Sequence, residues 1–394
     1  MTDAQLPLLI AGAGPGGLTA ALTALRCGMP FVVLEKVTRQ RLFSDVGGGY
    51  DIGANTLAML DHLGVGQGVR ATGTKMQRVV SMRTDGTPFD VMPLPADLDL
   101  TSSRRSDLQR VLLEALPAER LLSGDGVAEV RQGPRSVEVE LASGTRVEGS
   151  VLIAADGVHS RTRHAVFDDG PPGFCGLTCV WGRVGIDRLD VSVGEQLPRL
   201  SGVSWMGSGA VCLGGRMADE WLWSAFYRTA QFERSPDRET ARTRLLDRFE
   251  GWSESVTQLI ERTDTARITE VGIWDRDPVP SWVSGRCALI GDAAHPMTPF
   301  LGQGANAAMT DAFTLVQMLS RRPFEEALAV FEERRKEAVE GTVRSARSLA
   351  NWMTTESDVG GWVFRTGLRL APMPLIMHAL RASDRPNNVK DLLS

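Results

Sequence analysis

The 394-residue sequence lacks features that mark several classes of protein. Cysteine is scarce: the chain has five, an odd number, spread along its length, which disfavours a disulfide scaffold and favours a reducing, cytoplasmic compartment. Cys175 and Cys179 lie close together in sequence, but no second pair of cysteines or histidines is near them. We therefore predict no metal site.

A positive charge excess and long uninterrupted apolar runs are also missing. The formal net charge is −5 at pH 7, so the chain has no basic field that would bind nucleic acid by releasing counterions. The apolar stretch over residues 8–25 is interrupted by glycines and a proline, and no basic segment precedes it, which disfavours a signal peptide or a membrane helix. We expect no nucleic-acid or membrane partner, and either a monomer or a homodimer.

What the sequence does contain is a glycine-rich turn between an apolar strand and an Ala/Leu-rich helix. Gly12, Gly14 and Gly17 have the spacing G-x-G-x-x-G. The first glycine permits a tight turn, the second lets the backbone approach a pyrophosphate, and the third lets helix and strand pack closely. Glu35 ends the next apolar run, where a carboxylate can accept hydrogen bonds from a ribose. This unit predicts dinucleotide binding without deciding between FAD and NAD.

Two further predicted strands end in polar motifs, the first leading into Asp156 and Arg163 and the second into Asp292. A carboxylate at the end of a buried strand, such as Asp292, could hold the hydroxyl groups of a ribityl chain. A glycine-rich turn then opens a long predicted helix near Gly304, which could direct free N–H groups at an anionic ring edge such as that of a reduced flavin. These two motifs favour FAD.

The amino-acid composition of the sequence changes between these motifs. Residues 174–228 are rich in tryptophan and glycine and alternate in polarity, which predicts a mainly antiparallel sheet inserted into an α/β domain. Ser106 and Gln109 have capping-box spacing, which predicts a helix N-terminus there. We assign residues 1–75, 101–170 and 271–330 to a discontinuous Rossmann-like FAD-binding domain, residues 76–100 and 171–270 to a substrate domain, and residues 331–394 to a C-terminal helical segment.

The three motifs, in this order and at these separations, resemble the p-hydroxybenzoate hydroxylase-like family, the single-component (class A) FAD-dependent monooxygenases. The resemblance spans about residues 5–340. It implies non-covalent FAD, held by Gly12, Gly14, Gly17 and Glu35 on the adenosine side and by Asp292 on the ribityl side. It also implies that Arg105 contacts the FAD chain, that Asp156 and Arg163 belong to a motif shared between FAD and NAD(P)H binding, and that the N–H groups of Gly304, Ala305 and Asn306 face the flavin pyrimidine edge.

By the same resemblance, NAD(P)H would reduce FAD, and O2 would then form a C4a-hydroperoxyflavin that hydroxylates an aromatic, polycyclic or phenolic small molecule. The cofactor carries this chemistry, so we assign no catalytic side chain. His295 is expected to organise its turn rather than to act as a base. Residues 47–50 form either a loop close to the flavin or a surface turn. The substrate-pocket candidates are Trp205, Trp223, Tyr227 and Phe300.

Two alternative functions stay open from the sequence. A related FAD-dependent reductase or dehydrogenase would share the FAD motifs without transferring oxygen, and a substrate-dependent requirement for O2 would distinguish it. A non-catalytic flavin-binding redox protein would show no turnover with any donor. An antibiotic-inactivating monooxygenase is an open subtype, because fold does not choose substrate.

Overall fold

A computed structural model describes residues 6–44, 47–95, 98–197 and 201–393. The strands are β1 (Leu8–Ala11), β2 (Phe31–Glu35), β3 (Gly49–Ile52), β4 (Thr74–Lys75), β5 (Arg78–Arg83), β6 (Pro88–Pro93), β7 (Thr101–Arg104), β8 (Leu121–Ser123), β9 (Val127–Gln132), β10 (Val137–Leu141), β11 (Arg146–Gly149), β12 (Val151–Ala154), β13 (Gly173–Gly185), β14 (Ser201–Gly207), β15 (Ala210–Met217), β16 (Glu220–Arg228), β17 (Thr269–Asp275), β18 (Val283–Ser284) and β19 (Cys287–Leu289). The helices are α1 (Pro15–Arg26), α2 (Arg39–Leu42), α3 (Ala54–His62), α4 (Gly66–Thr72), α5 (Arg105–Glu114), α6 (Arg161–Phe167), α7 (Val191–Gln196), α8 (Arg238–Arg248), α9 (Glu254–Glu261), α10 (Gly304–Arg321), α11 (Phe324–Met353), α12 (Asp358–Leu370) and α13 (Met373–Asp384).

The first sheet forms the centre of the predicted FAD-binding domain. Its strand order is β18-β19-β12-β1-β2-β8, and β1 pairs in parallel with both β12 and β2. Every residue of β1 and β12 is buried, as expected for parallel strands that are covered on both faces. One face packs against α1, α3, α5, α10 and α11, and the other packs against the β9–β11 meander. The Rossmann-like prediction is confirmed.

The second sheet is the predicted, mainly antiparallel sheet, with strand order β17-β13-β16-β15-β14-β5-β6. Its two faces bury different clusters. One face, the helix-covered face, packs Trp205, Trp221 and Trp223 against α8 and α9. The opposite face, here called the pocket face, groups Met206 and Phe226 with Phe300 from the turn that precedes α10. The pocket face is therefore turned toward the first domain.

A small sheet of order β3-β7-β4 lies where the two larger sheets meet. Strand β3 pairs with β7, and a Cβ built at Gly49 of β3 would lie 3.0 Å from Met217 Cε and 3.5 Å from Leu222 Cδ2 of the large sheet. The next helix, α3, packs into the core of the first domain. The β3–β7 pair is therefore a wall shared by both domains.

Three sequence-based boundaries need correction. Helix α5 begins at Arg105, with Arg104 as the N-cap and no side-chain cap, so the capping box predicted at Ser106 and Gln109 is wrong. The domain boundary predicted after residue 270 falls inside β17, which is an edge strand of the large sheet. The boundary predicted at residue 331 falls inside the single long helix α11. Within the described ranges, no helix is both long enough and apolar enough to cross a membrane.

Candidate active site

The glycine-rich turn between β1 and α1 closes as the spacing predicts. Gly12 has φ +103°, and a Cβ there would collide with the carbonyl oxygen of Ala155. A Cβ at Gly17 would collide with the carbonyl oxygen of Gly12, so this glycine is required for close packing of helix on strand. Pro15 occupies the first turn of α1, where its fixed φ suits the helix and its missing N–H costs nothing.

Gly14 differs from the other two motif glycines. A Cβ built at Gly14 has no protein atom within 4 Å, so nothing in the chain itself requires glycine at this position. Gly14 is also the N-cap of α1, in an extended conformation and without a side-chain cap. An open face at a helix N-terminus can receive a pyrophosphate in contact with the backbone. The loop therefore fits the phosphate chain of FAD.

Glu35 supports this loop from the end of β2. Its Oε2 accepts a hydrogen bond from the N–H of Ala13 at 2.7 Å, and its Oε1 accepts one from the N–H of Val37 at 2.8 Å. Each carboxylate oxygen can accept more than one hydrogen bond, so capacity for a ribose hydroxyl remains. The side chain is buried, and the predicted ribose contact stays a prediction.

Gln109 is a support that the sequence reasoning missed. Its Nε2 donates a hydrogen bond to the carbonyl oxygen of Ala13 at 2.5 Å, from a buried position on α5. Ala13 is thus held on its N–H side by Glu35 and on its carbonyl side by Gln109. The spacing that suggested a capping box reflects this long-range contact instead.

Arg105, Asp292 and Tyr50 face one another in a cleft next to the loop. Burial raises the pKa of the Tyr50 phenol, while Arg105, which is hydrogen-bonded to it, lowers this pKa and Asp292 raises it. Burial also raises the pKa of Asp292, against the lowering effect of His295 and Arg105. Asp292 and Arg105 nevertheless keep exposed surface. Asp292 and Arg105 therefore lie on the walls of a cleft that is open to solvent. The predicted FAD contacts of both residues would be made there.

Residues 47–50 lie beside this cleft. A Cβ at Gly47 would lie 3.0 Å from Arg105 Cδ, and one at Gly48 would lie 3.5 Å from the indole of Trp181 on the pocket side of the large sheet. The segment therefore runs between the groups assigned to FAD and the large sheet. Of the two sequence-based readings, this placement supports the loop close to the flavin.

The N-terminus of α10 lies beside the cleft, since a Cβ built at Gly304 would lie 4.0 Å from Asp292 Oδ1. Ala307 donates the first hydrogen bond of the helix, to the carbonyl oxygen of Gln303 at 2.8 Å, so the N–H groups of Gly304, Ala305 and Asn306 belong to the unpaired first turn. The Asn306 side chain is fully engaged with the chain. Its Oδ1 accepts from the N–H of Gly53, and its Nδ2 donates to the carbonyl oxygens of Asp51 and Gly302.

His295 lies beneath this helix in a buried ionic cluster. Its Nε2 is 2.5 Å from Asp311 Oδ2, and Arg335 Nε donates to Asp311 Oδ1 at 2.7 Å. Burial alone would raise the pKa of Asp311, but Arg335 and His295 hold it at about 2. The N–H of Gly291 also donates to Asp311, so the cluster fixes the turn that carries Asp292. This placement agrees with the expectation that His295 organises its turn.

Asp156 and Arg163 also serve their own turn. Asp156 accepts hydrogen bonds from the Ser160 hydroxyl and from the N–H of Thr162, which fixes the start of α6. The buried guanidinium of Arg163 donates to the carbonyl oxygens of Ala293 and Ala294 and pairs with Asp169. Arg163 thus ties α6 to the Asp292 turn. Contact of this motif with NAD(P)H stays a prediction.

The pocket candidates divide between the two faces of the large sheet. Trp205 and Trp223 are completely buried on the helix-covered face, where Trp223 Nε1 donates to Thr263 Oγ1 at 3.0 Å, and Tyr227 packs on the same face. The prediction that these three residues line the pocket is therefore corrected, because side chains alternate along a strand and the opposite set faces the cleft. Phe300 lies on the pocket face, with its ring centroid 4.8 Å from that of Phe226.

The pocket face is mainly apolar and is closed by the C-terminal helices. Ala350 and Met353 of α11 and Phe364 and Leu368 of α12 pack into its cluster. The sequence reasoning missed these four residues because their helical periodicity does not tell which domain they cover. An apolar wall beside a polar cleft is typical of a small-molecule site.

Residues near the C-terminus also hold two helices that border the cleft. Asp384 Oδ2 accepts from Asn55 Nδ2 at 2.7 Å at the start of α3, and Asn387 Nδ2 donates to Gln303 Oε1 at 2.8 Å at the start of α10. Burial raises the pKa of Asp384, while hydrogen bonds from Asn387 and Asn55 lower it. Two helix N-termini that border the cleft are thus positioned by the end of the fold.

Comparison with known proteins shows which family the chain belongs to. The family described as FAD binding domain matches residues 5–346. The chain is 33% identical to the aurachin C monooxygenase/isomerase of Stigmatella aurantiaca over 93% of this chain and 94% of that protein. It is 32% identical to 3-hydroxybenzoate 6-hydroxylase 1 of Aquipseudomonas alcaligenes over 80% of each.

A solved structure extends the likeness to the whole fold. Klebsiella pneumoniae HpxO, complexed with FAD and uric acid, superposes with a TM-score of 0.85 at 26% identity, covering 97% of each chain. The open Gly14 loop, the Glu35 and Gln109 supports, and the cleft at Arg105 and Asp292 fit FAD. The chain belongs to the FAD-binding-domain family of single-component (class A) FAD-dependent monooxygenases.

Proposed function

We propose that this monooxygenase hydroxylates an aromatic small molecule of the phenolic or polycyclic type, with NAD(P)H as the electron donor and O2 as the oxygen source. The observation that carries the proposal is the path of residues 47–49, which connects the cleft to the pocket face: a Cβ at Gly47 would lie 3.0 Å from Arg105 Cδ, and one at Gly48 would lie 3.5 Å from the indole of Trp181 on that face. Relatives named for hydroxylation of aromatic rings support the same reaction class.

Different residues would hold different parts of the cofactor. The Gly14 loop would receive the pyrophosphate, Glu35 the adenosine ribose and Asp292 the ribityl side, and Arg105 would contact the FAD chain. When bound, FAD supplies the hydride acceptor and the oxygen-activating ring. No protein nucleophile is needed for that chemistry.

The chain contributes electrostatics and water exclusion. The first-turn N–H groups of α10 and the positive end of its helix dipole would stabilise negative charge on the bound ring. The pocket-face cluster, against which α11 and α12 pack, would keep water from the reacting centre. Neither contribution requires a side chain to transfer a proton.

The first experiment is an anaerobic NADPH and NADH titration of the purified, FAD-loaded protein, followed by admission of air. Bleaching of the flavin band and its recovery in air support a nicotinamide-reduced, oxygen-reactive flavoenzyme. Label from 18O2 in the product then separates hydroxylation from a reductase or dehydrogenase activity. A protein that takes up no added FAD, or an active one that incorporates no label, contradicts the proposal.

A further inference from the structure

Strand β3 carries an acidic side chain that none of the FAD motifs uses. Asp51 lies between Tyr50, which faces Arg105 and Asp292, and Ile52, which is buried in the core of the first domain. Successive side chains of a strand point to opposite faces. Asp51 therefore points away from the side of β3 that faces Arg105 and Asp292.

Two glycines show what Asp51 faces instead. Gly49 shares its side of β3, and a Cβ built there would lie 3.0 Å from Met217 and 3.5 Å from Leu222 of the large sheet. A Cβ built at Gly302 would lie 3.6 Å from both Cβ and Oδ2 of Asp51. The carboxylate thus lies between the large sheet and the turn that carries Phe300, where the pocket meets the N-terminus of α10.

The Asp51 carboxylate has a hydrogen-bond donor from the chain on only one of its two oxygens among the described residues. The Ser102 hydroxyl, opposite it on β7, donates to Oδ1. Burial raises the pKa of Asp51 and this hydrogen bond lowers it, and within the described residues no cation contributes. The side chain nevertheless retains exposed surface. A carboxylate that is held on one oxygen and surrounded by protein is stabilised by a further hydrogen-bond donor.

One row of the neighbouring wall carries no charged side chain. This row across the pocket face consists of Trp181, Ser224, Leu213, Ser204 and Ser81, which gives aromatic, aliphatic and hydroxyl surface. The nearby Arg183 is committed to Glu220, with 3.7 Å between Nη1 and Oε2. A ring bound at this row would therefore meet the Asp51 acceptor beside neutral side chains, while the charged groups of the same face, Asp275, Arg228 and Arg347, act on the thiol of Cys175.

We propose that Asp51 is a specificity-determining residue whose carboxylate accepts a hydrogen bond from an N–H or O–H group on the aromatic substrate and disfavours rings that carry a carboxylate in its place. The inference rests on the proposed function and names its substrate class. Because Ser102 fixes the position of the Asp51 carboxylate, a substrate N–H or O–H group that meets it binds more tightly. The negative charge of the carboxylate repels an anionic substituent on the ring. The chain would then differ in ring substituent from relatives named for hydroxybenzoates.

The test measures ligand binding to the FAD-loaded protein by the change in flavin absorbance. The probes are phenol and naphthol rings, each with a second substituent that is amino, hydroxyl, methoxy or carboxylate. The variants are Asp51→Ala, Asp51→Asn and, as a matched control, Asp125→Asn. Asp125 also accepts a hydrogen bond from a serine, Ser143, but lies beside the β9–β11 meander.

The wild-type protein and the Asp125→Asn control should prefer amino and hydroxyl rings over methoxy partners by about tenfold, and should bind carboxylate rings least. Asp51→Ala should erase the preference for donors, and Asp51→Asn should admit carboxylate rings because its amide can donate. A wild-type protein without the preference, or an Asp51→Ala variant that keeps it, overturns the inference.

An Asp51→Ala variant that loses FAD affinity but keeps the ligand ranking also overturns the inference, because it assigns the carboxylate to the cofactor. These outcomes leave the proposed hydroxylation standing. Failure of the wild-type chain to bind FAD contradicts the proposed function itself, so the two failures are distinguishable.

Discussion

The side-chain amide of Gln109 donates a hydrogen bond to the carbonyl oxygen of Ala13, 2.5 Å away, and so joins α5 to the glycine-rich loop. Replacement with leucine keeps the size of the side chain but leaves this buried carbonyl without its partner. We expect Gln109→Leu to cost about 1–3 kcal/mol, expressed mainly as weaker FAD binding. Fluorescence titration of the stripped protein with FAD measures it. An unchanged dissociation constant would show that Glu35 alone positions the loop.

The two glycines at the start of α1 should respond differently to substitution. Gly14→Val should leave the unfolding temperature of the FAD-free protein unchanged, because its Cβ meets no protein atom, yet should weaken FAD binding at least about tenfold. Gly17→Ala should destabilise the protein itself by about 1–3 kcal/mol through collision with the Gly12 carbonyl. Thermal unfolding with and without FAD compares them. A destabilised Gly14→Val protein would contradict the assignment of its open face to the cofactor.

Loss of either carboxylate assigned to FAD should weaken FAD retention. We expect Asp292→Ala and Glu35→Ala each to raise the FAD dissociation constant about tenfold, since each would remove hydrogen-bond acceptors for sugar hydroxyls. Flavin released on gel filtration, quantified by absorbance, gives the comparison. Full occupancy in Asp292→Ala would count against its ribityl role, and an unchanged constant in Glu35→Ala against its ribose role.

The two faces of the large sheet predict opposite effects on stability and binding. Trp223→Phe removes the hydrogen bond to Thr263 and should cost about 1–3 kcal/mol of unfolding free energy while leaving the affinity for an aromatic ligand unchanged. Leu213→Ala, on the pocket face, should change that affinity at a smaller cost in stability. Urea unfolding and ligand titration of both variants provide the test. If Trp223→Phe altered affinity and Leu213→Ala did not, the assignment of the faces would be reversed.

The pair formed by Asp311 and Arg335 should make stability depend on acidity. The pKa of Asp311 is about 2 in the folded protein against an ordinary value of 3.8, so its contribution of about 2 kcal/mol is present above pH 3.8 and is lost as the pH falls toward 2. Asp311→Asn should therefore be less stable at pH 6, by a margin that narrows toward pH 3. Urea unfolding across this range measures the margin. A margin that stayed constant would show that ionisation of Asp311 is not what stabilises the turn.

Much of the fold could be predicted from the sequence because its signals are local. Three of these signals lie within about thirty residues of one another, which is the length of one βαβ unit. They are the apolar run over β1, the spacing of Gly12 and Gly17, and the position of Glu35 at the end of β2. The long helix after the Asp292 turn was likewise predicted, and it spans Gly304–Arg321. These features determine where FAD is expected to bind.

The contacts that pattern reasoning missed join distant parts of the chain. Gln109 contacts Ala13, and Asp384 contacts Asn55. The partners are so far apart in sequence that the hydrophobic periodicity of helices and strands gives no sign of these contacts. The tryptophans of β14 and β16 were assigned to the pocket because alternation separates the two faces of a strand but does not say which face the helices cover. Here α8 and α9 cover the face that carries Trp205 and Trp223, and the opposite face, which carries Trp181 and Phe226, turns toward the cleft.

The order of strands in the first sheet has a consequence for how the chain folds as it is synthesised. Strand β1 pairs with β12, whose residues follow it by about 140 positions, and α1 packs on α10, which comes later still. At roughly 5–20 residues per second, the β12 side of β1 stays unpaired for roughly 7–30 s after β1 is made. That exposed edge invites pairing with another nascent chain, so the yield of native protein should rise when translation is fast or when a chaperone covers the growing N-terminal half.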